Sequence, residues 1–318
     1  MKSVFLDFAT LSNGDLDTRA LELAAPGLTL LEAARQEEVA ERIAGHAVVM
    51  TNKLRIDRPL IEGSPALRCI ALSATGTNNV DLDAAREHGV AVCNVTDYCT
   101  PSVVQHVLGV LLALTHQLRE YSRQAVDGTW SKGRHFTILQ SPIRELRGLT
   151  LGVVGWGVLG RAVAAACETA LGMRVLVANR PGGEAIAGRV DLDELLRVAD
   201  VVTLHCPLTA ATTGMIDARR LGLMKPDAIL INTARGALID IAALAAALRA
   251  GRLGGAAIDV LPQEPPIDGS PLFAADLPNL LVTPHIAWGA IESRQRCLDE
   301  VAANVAAWRA GGTRRRVV

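Results

Sequence analysis

The stretch Leu151-Gly152-Val153-Val154-Gly155-Trp156-Gly157-Val158-Leu159-Gly160-Arg161 constrains this chain more than any other. A β-branched run leads into it and a helical pattern to Leu171 leads out, so G-x-G-x-x-G falls where a strand turns directly into a helix. Gly155 permits the tight turn, Gly157 lets a pyrophosphate approach the backbone, and Gly160 lets helix lie close on strand. Val158 and Leu159 open the helix, where N–H groups point at an anion. With 28 glycines in the chain the bare spacing means little. The strand and helix around it make it a dinucleotide-binding turn.

The rest of the chain fits an α/β fold of two Rossmann-like domains with doubly wound parallel sheets. Strand-like runs at Val4 to Leu6, Ala47 to Thr51, Arg68 to Ser73 and Val90 to Asn94 alternate with helical stretches. Thr100-Pro101-Ser102 then opens an apolar-periodic helix to about Arg123. A second series has candidate strands at 150–154, 174–178, 200–204, 228–232, 256–260 and 280–283, and a helix from Glu292 to Arg309 follows. Hydrophobic residues make up 50% and aromatic residues 3%, which suits helices packed on parallel sheet better than an all-β sandwich.

Charge and cysteine usage narrow the function classes. Lys plus Arg number 32 against 33 acidic residues, so no sequence-wide field favours nucleic acid or an anionic membrane. The basic tail Arg314-Arg315-Arg316 is expected to be solvated. Cys69, Cys93, Cys99, Cys167, Cys206 and Cys297 form no C-x-x-C pair and read as buried thiols in a reducing compartment. No metal-ligand cluster is expected. Asp7 interrupts the N-terminus before a signal-peptide core could form, and the apolar run Val107 to Leu114 is too short to span a bilayer. A soluble, cytoplasmic protein is the expectation.

In an open α/β sheet ligands lie beyond the carboxyl ends of the strands, so the polar residues that follow strands are the candidates. Asn179 stands where Asp or Glu usually takes the ribose hydroxyls; with Arg180 beside it, a 2′-phosphate is tolerable, which leaves NAD and NADP both open. Arg235, Glu264 and His285 each follow a strand of the second series. Singly they read as a helix-end ion pair, a loop acid and a turn histidine. Together they supply a bidentate carboxylate clamp and a carboxylate-oriented proton donor, a set that suits reduction of a 2-keto acid.

Ala74-Thr75-Gly76-Thr77-Asn78-Asn79-Val80-Asp81, the Gly155 to Gly160 loop, Leu204-His205-Cys206-Pro207-Leu208-Thr209, Met224-Lys225-Pro226, Asn232-Thr233-Ala234-Arg235-Gly236, Asp259-Val260 with Glu264-Pro265, and Thr283-Pro284-His285 occur in one order over nearly the whole chain. In this combination the chain resembles the D-isomer-specific 2-hydroxyacid dehydrogenases. Phe136 to Gly148, Ala178-Asn179-Arg180-Pro181-Gly182 and His285-Ile286-Ala287-Trp288 resemble the glycerate dehydrogenase, or hydroxypyruvate reductase, branch.

The resemblance implies that His285 is the general acid/base, Glu264 its orienting carboxylate and Arg235 the substrate clamp. It places Asp259 near the nicotinamide carboxamide, and Thr75, Cys206, Pro207, Thr233, Ala234 and Ala287 along the cofactor. The backbone of Ala74, Thr75 and Gly76 would hold the substrate carboxylate, with Lys53 and Trp288 as further pocket residues. A substrate domain of residues 1–99 and 288–318, a cofactor domain of 100–287 and a homodimer are implied likewise. Formate or phosphite dehydrogenases of the same family are an alternative, although Glu264 stands where formate enzymes carry Gln. A dinucleotide-sensing corepressor of the C-terminal-binding-protein type is the alternative from another class.

Overall fold

The computed structural model describes residues 1–180 and 182–318; Pro181, within one of the segments that carry the resemblance, lies outside the described residues. Two compact units are present, residues 1–99 with 289–318 and residues 100–288, so Trp288 falls with the second.

The first unit holds strands β1 (Ser3–Phe5), β2 (Leu28–Leu30), β3 (Val48–Thr51), β4 (Cys69–Leu72) and β5 (Ala91–Cys93) in the order β2-β1-β3-β4-β5, all parallel. β3 and β4 are buried at every residue because helices cover both faces, so their sequences are continuous apolar runs rather than alternating ones. β2 was not expected: it is an edge strand of three half-exposed or exposed residues, too short to show a period. The helix Ile291–Arg309 buries Ser293, Cys297, Leu298, Val301, Ala302, Asn304 and Val305, a single stripe at helical spacing, and packs on β4 and on the helix Arg19–Ala24.

The expectation of a solvated basic tail holds for its side chains only. Val317 donates its N–H to Val92 O (2.7 Å) and Asn94 donates to Arg315 O (3.2 Å), so the tail backbone runs antiparallel along the exposed edge of β5. Arg314 also pairs with Glu300 at 2.7 Å. Unpaired strand-edge groups attract any available backbone, and here they find the chain's own.

The second unit holds β6 (Thr150–Val154), β7 (Arg174–Val177), β8 (Val201–Leu204), β9 (Ile229–Asn232), β10 (Gly255–Ile258) and β11 (Leu280–Val282), in the order β11-β10-β9-β8-β6-β7 and all parallel. The chain winds one way from β6 to β7 and the other way from β8 to β11. The reversal opens a crevice at the carboxyl ends of β6 and β8. Asp191, Asp217 and Asp240 each accept a backbone N–H at the start of the following helix, which is why those helices begin where they do.

The helix expected to run from Thr100 to about Arg123 is two helices, Thr100–Thr115 and Leu118–Val126, with Gln117 left-handed at φ 51° between them. No Gly or Pro marks the break. A later segment meets the chain there: Arg144 donates its N–H to Thr115 O (3.0 Å), a carbonyl that a continuous helix would pair with the N–H four residues on, and Ser141 O accepts from the Tyr121 hydroxyl (2.6 Å).

Candidate active site

Two of the three glycines in the β6 turn are fixed by packing and one is not. Gly155 has φ +104°, and a Cβ there would sit 2.5 Å from Cys206 N; a Cβ on Gly160 would sit 2.0 Å from Gly155 O. Gly157 faces open space, with nothing within 4 Å of where a Cβ would stand, at the start of the 14-residue helix Val158–Leu171. That helix has no side-chain cap, so the N–H groups of its first turn, Val158 and Leu159 among them, are turned toward the same open space. A glycine that packing does not require, set before uncapped helix donors, fits the pyrophosphate of a dinucleotide.

The neighbouring strand ends complete this edge. His205 donates its N–H to Val154 O (2.7 Å), tying β8 to the glycine turn, and burial lowers its imidazole to about 4. Cys206 is buried and its thiol is pushed up to about 11, so it contributes as a neutral apolar group. The Pro207 carbonyl accepts from Thr212 Oγ1 (2.8 Å), and Thr233 Oγ1 is buried without a partner among the described residues. Asn179 Oδ1 accepts from Ile186 N (2.9 Å), which shapes the loop after β7, while Arg180 is exposed.

The turn that carries His285 hangs on one buried carboxylate. Asp259, at the end of β10 and 2% exposed, accepts Thr283 Oγ1 (2.6 Å) and Ile286 N (2.9 Å) on one oxygen and Ala287 N (2.9 Å) on the other. Its own carbonyl accepts from His285 N (2.8 Å). These bonds hold His285 in left-handed backbone, φ 55°, a conformation that a non-glycine residue keeps only where its surroundings impose it. His285 Nδ1 donates to Glu264 Oε2 at 2.6 Å, and Glu264 Oε1 is held by Leu261 N at 2.8 Å. Nε2 is the ring nitrogen left to exchange a proton.

Arg235 is fixed from the same strand ends. Asn232, fully buried at the end of β9, donates to Arg235 O (2.9 Å) and accepts from Ala234 N (3.0 Å), while its carbonyl accepts from Asp259 N (3.0 Å). The Arg235 guanidinium bonds only Ala234 O (2.7 Å) and has no carboxylate partner among the described residues. A guanidinium with no carboxylate partner among the described residues suits an anionic substrate.

In the first unit the order of strands reverses between β1 and β3, and Asp7 stands just beyond β1. Its buried carboxylate accepts Asn52 N (2.9 Å) and Lys53 N (2.7 Å), and Asn79 Nδ2 donates to Leu54 O (3.0 Å), so the Lys53 loop is pinned from two sides. The loop after β4 is tied to the chain after β5: Val95 N donates to Ala74 O (3.0 Å), and the Thr75 hydroxyl donates to Val95 O (2.7 Å).

Residues 108–287 match the family model for the D-isomer-specific 2-hydroxyacid dehydrogenase, NAD-binding domain. A glycerate dehydrogenase from Methylorubrum extorquens is 44% identical over 275 residues, 86% of each chain. The chain belongs to the D-isomer-specific 2-hydroxyacid dehydrogenase family. A hydroxypyruvate reductase from Blautia hydrogenotrophica is 35% identical over 94% of both chains. An NADPH-dependent glyoxylate/hydroxypyruvate reductase from Sinorhizobium meliloti, solved with NADP and malonate, superposes with a TM-score of 0.81 at 27% identity, over 100% of this chain and 96% of that one. As a member of the family the chain is an oxidoreductase of 2-hydroxy acids with a nicotinamide dinucleotide as cofactor, and the glycine turn described above fits that group.

Within the second unit the expected residues form a chain of bonds, Glu264 to His285, His285 to Asp259 and Asp259 to Ala287, and Arg235 joins it through Asn232. Ala287 spends both backbone groups inside the protein, its carbonyl accepting from Ser102 Oγ (2.7 Å). Trp288, the aromatic residue among the expectations, is half-buried at the end of the same turn. Lys53, Ala74, Thr75 and Gly76 lie in the first unit. Sequence reasoning missed Asp7, Asn232 and Thr283 as organisers of these loops. For Asp7 and Asn232 the signal was present: a polar residue closing an apolar strand at its carboxyl end. Thr283 belongs to the Thr283-Pro284-His285 motif, in which the family resemblance gives a role to His285 alone.

Proposed function

We propose that this protein reduces a small 2-keto acid, hydroxypyruvate or glyoxylate, to the corresponding 2-hydroxy acid with NADH or NADPH. The bound nicotinamide supplies the hydride. His285 gives the proton to the keto oxygen from Nε2, Glu264 steadies the imidazolium through Nδ1, and Arg235 clamps the oxygens of the substrate. The backbone N–H groups of residues 74–76 receive the substrate carboxylate, with Lys53 and Trp288 shaping the pocket. Residues 1–99 and 288–318 form the substrate domain of this reading, and 100–287 the cofactor domain, which also lends Arg235 and His285 to the substrate. Gly157, the first helix turn after it, Asn179, Arg180, Cys206-Pro207, Thr233-Ala234 and Thr75 hold the dinucleotide.

The observation that carries this reading is the 2.6 Å bond between His285 Nδ1 and Glu264 Oε2 on a backbone held by Asp259. The relatives named for glycerate, hydroxypyruvate and glyoxylate support the substrate class, and the neighbour solved with NADP supports use of the phosphorylated cofactor. Loss of NADH or NADPH absorbance with a panel of 2-keto acids tests it. Replacing His285→Ala should cut turnover by about 100-fold or more with cofactor affinity intact. Near-normal turnover of that variant would remove His285 from the mechanism.

A cytoplasmic homodimer accompanies this reading. All six cysteines are free thiols, and Val126, Phe136 and Leu139 expose 87%, 91% and 75% of their surface along one segment of the second unit. Sedimentation at twice the chain mass is the expected result, and a monomer at micromolar concentration would refute it.

A further inference from the structure

The Ala74–Gly76 loop bonds its first two carbonyls and leaves its backbone N–H groups open. Ala74 O accepts from Val95 N (3.0 Å), and Thr75 O accepts from Asn94 Nδ2 (2.8 Å). The N–H groups of Ala74, Thr75 and Gly76 have no hydrogen-bond partner among the described residues. Successive open N–H groups form an anion-binding concavity. A trans peptide carries its C=O and N–H on opposite edges of one plane, so fixing Ala74 O fixes the N–H of Thr75, and fixing Thr75 O fixes the N–H of Gly76.

The two anchors differ in kind. The bond to Ala74 O comes from backbone and survives any side-chain change at 94. The bond to Thr75 O comes from the side chain of Asn94. That residue has a rigid base: its N–H donates to Arg315 O (3.2 Å), and its carbonyl accepts from Nδ2 of Asn304 (2.9 Å), itself 1% exposed on the helix Ile291–Arg309. We propose that Asn94 is a positioning residue for substrate binding, its side-chain amide setting the Thr75–Gly76 peptide so that the Gly76 N–H is presented to the carboxylate of the 2-keto acid. The assignment rests on the proposed function, in which residues 74–76 receive that carboxylate.

Asn94→Asp is the informative change: it keeps the shape, removes the donor, and sets a carboxylate oxygen against Thr75 O. The KM for hydroxypyruvate should rise about tenfold, with a smaller change in kcat and an unchanged Kd for NADH measured by fluorescence. Asn94→Ala, which removes the donor without adding charge, should raise KM in the same direction and serves if the Asp variant fails to fold. A purely structural role would lower the melting temperature or the yield and leave the KM of the folded enzyme where it was. Unaltered KM in the variants, or a Kd for NADH that rises in step with KM, overturns the Asn94 assignment and leaves the reductase reading standing. An unmodified protein that turns over neither hydroxypyruvate nor glyoxylate with either cofactor overturns the reductase reading, and this assignment with it.

Discussion

At the scale of single residues, the candidate site turns on which atoms are already committed. His285 has Nδ1 on Glu264, which leaves Nε2 for the proton transfer proposed above; Glu264 uses its other oxygen on Leu261 N. Glu264→Gln keeps that geometry and removes the charge facing the ring. Turnover in the reduction direction should therefore fall by about tenfold or more, with the Kd for NADH unchanged. Undiminished turnover in the variant would show that the carboxylate charge is not coupled to the reaction. Asn179 is a second case. Its Oδ1 is committed to Ile186 N, and Asp at that position keeps the acceptor while adding a charge beside exposed Arg180. NADPH should be used about as well as NADH by the unmodified protein, and Asn179→Asp should shift kcat/KM toward NADH. If NADPH is already unusable with Asn179 in place, Arg180 does not meet the 2′-phosphate.

At the scale of elements, what matters is where strands stop. Asn232, Asp259 and Thr283 stand at or just past the ends of β9, β10 and β11, because a parallel sheet with both faces covered leaves only its carboxyl edge for ligands. The β6 turn shows the division of labour among glycines. Gly160→Ala drives a methyl into Gly155 O, 2.0 Å from the ideal Cβ, and should cost about 1–3 kcal/mol of stability. Gly157→Ala meets open space at φ −79°, so the melting temperature should stay put while NADH binding weakens. Equal NADH affinity in Gly157→Ala would mean that the cofactor does not approach the backbone there. The broken helix at Gln117 makes the opposite point: its sequence carries no breaker, and at the interruption Thr115 O is taken by Arg144 N.

At the scale of the whole molecule, stability in mild acid is set by histidines as well as carboxylates. Burial lowers His205 to about 4, against an ordinary value of about 6.5 in the unfolded chain. The unfolded state therefore binds more protons between those two values, and stability falls as pH drops through that window, by at most about 1.4 kcal/mol per pH unit from this group. Burial lowers His106 as well, in the same sense. Asp193, held far below the usual carboxylate range by Arg219 and Arg220, loses its contribution only at lower pH. Urea midpoints should therefore decline from pH 6.5 to 4 in the unmodified protein and decline less in His205→Gln; an identical slope in the variant would sink the attribution. The amino-acid sequence alone determined the α/β class and the glycine turn and put forward Arg235, Glu264 and His285 as candidates, because hydrophobic period and strand-end placement are local properties. It named Asp259 without its structural task, missed β2, ran the Thr100 helix too far and left the tail in solvent. Those features depend on partners distant in sequence: Thr283, Ile286 and Ala287 around one carboxylate, Ser3 to Phe5 beside Leu28 to Leu30, Arg144 on Thr115 O, and Val92 with Asn94 along the tail. A hydrogen bond between residues far apart in the chain has no local signature, so only the tertiary structure decided them.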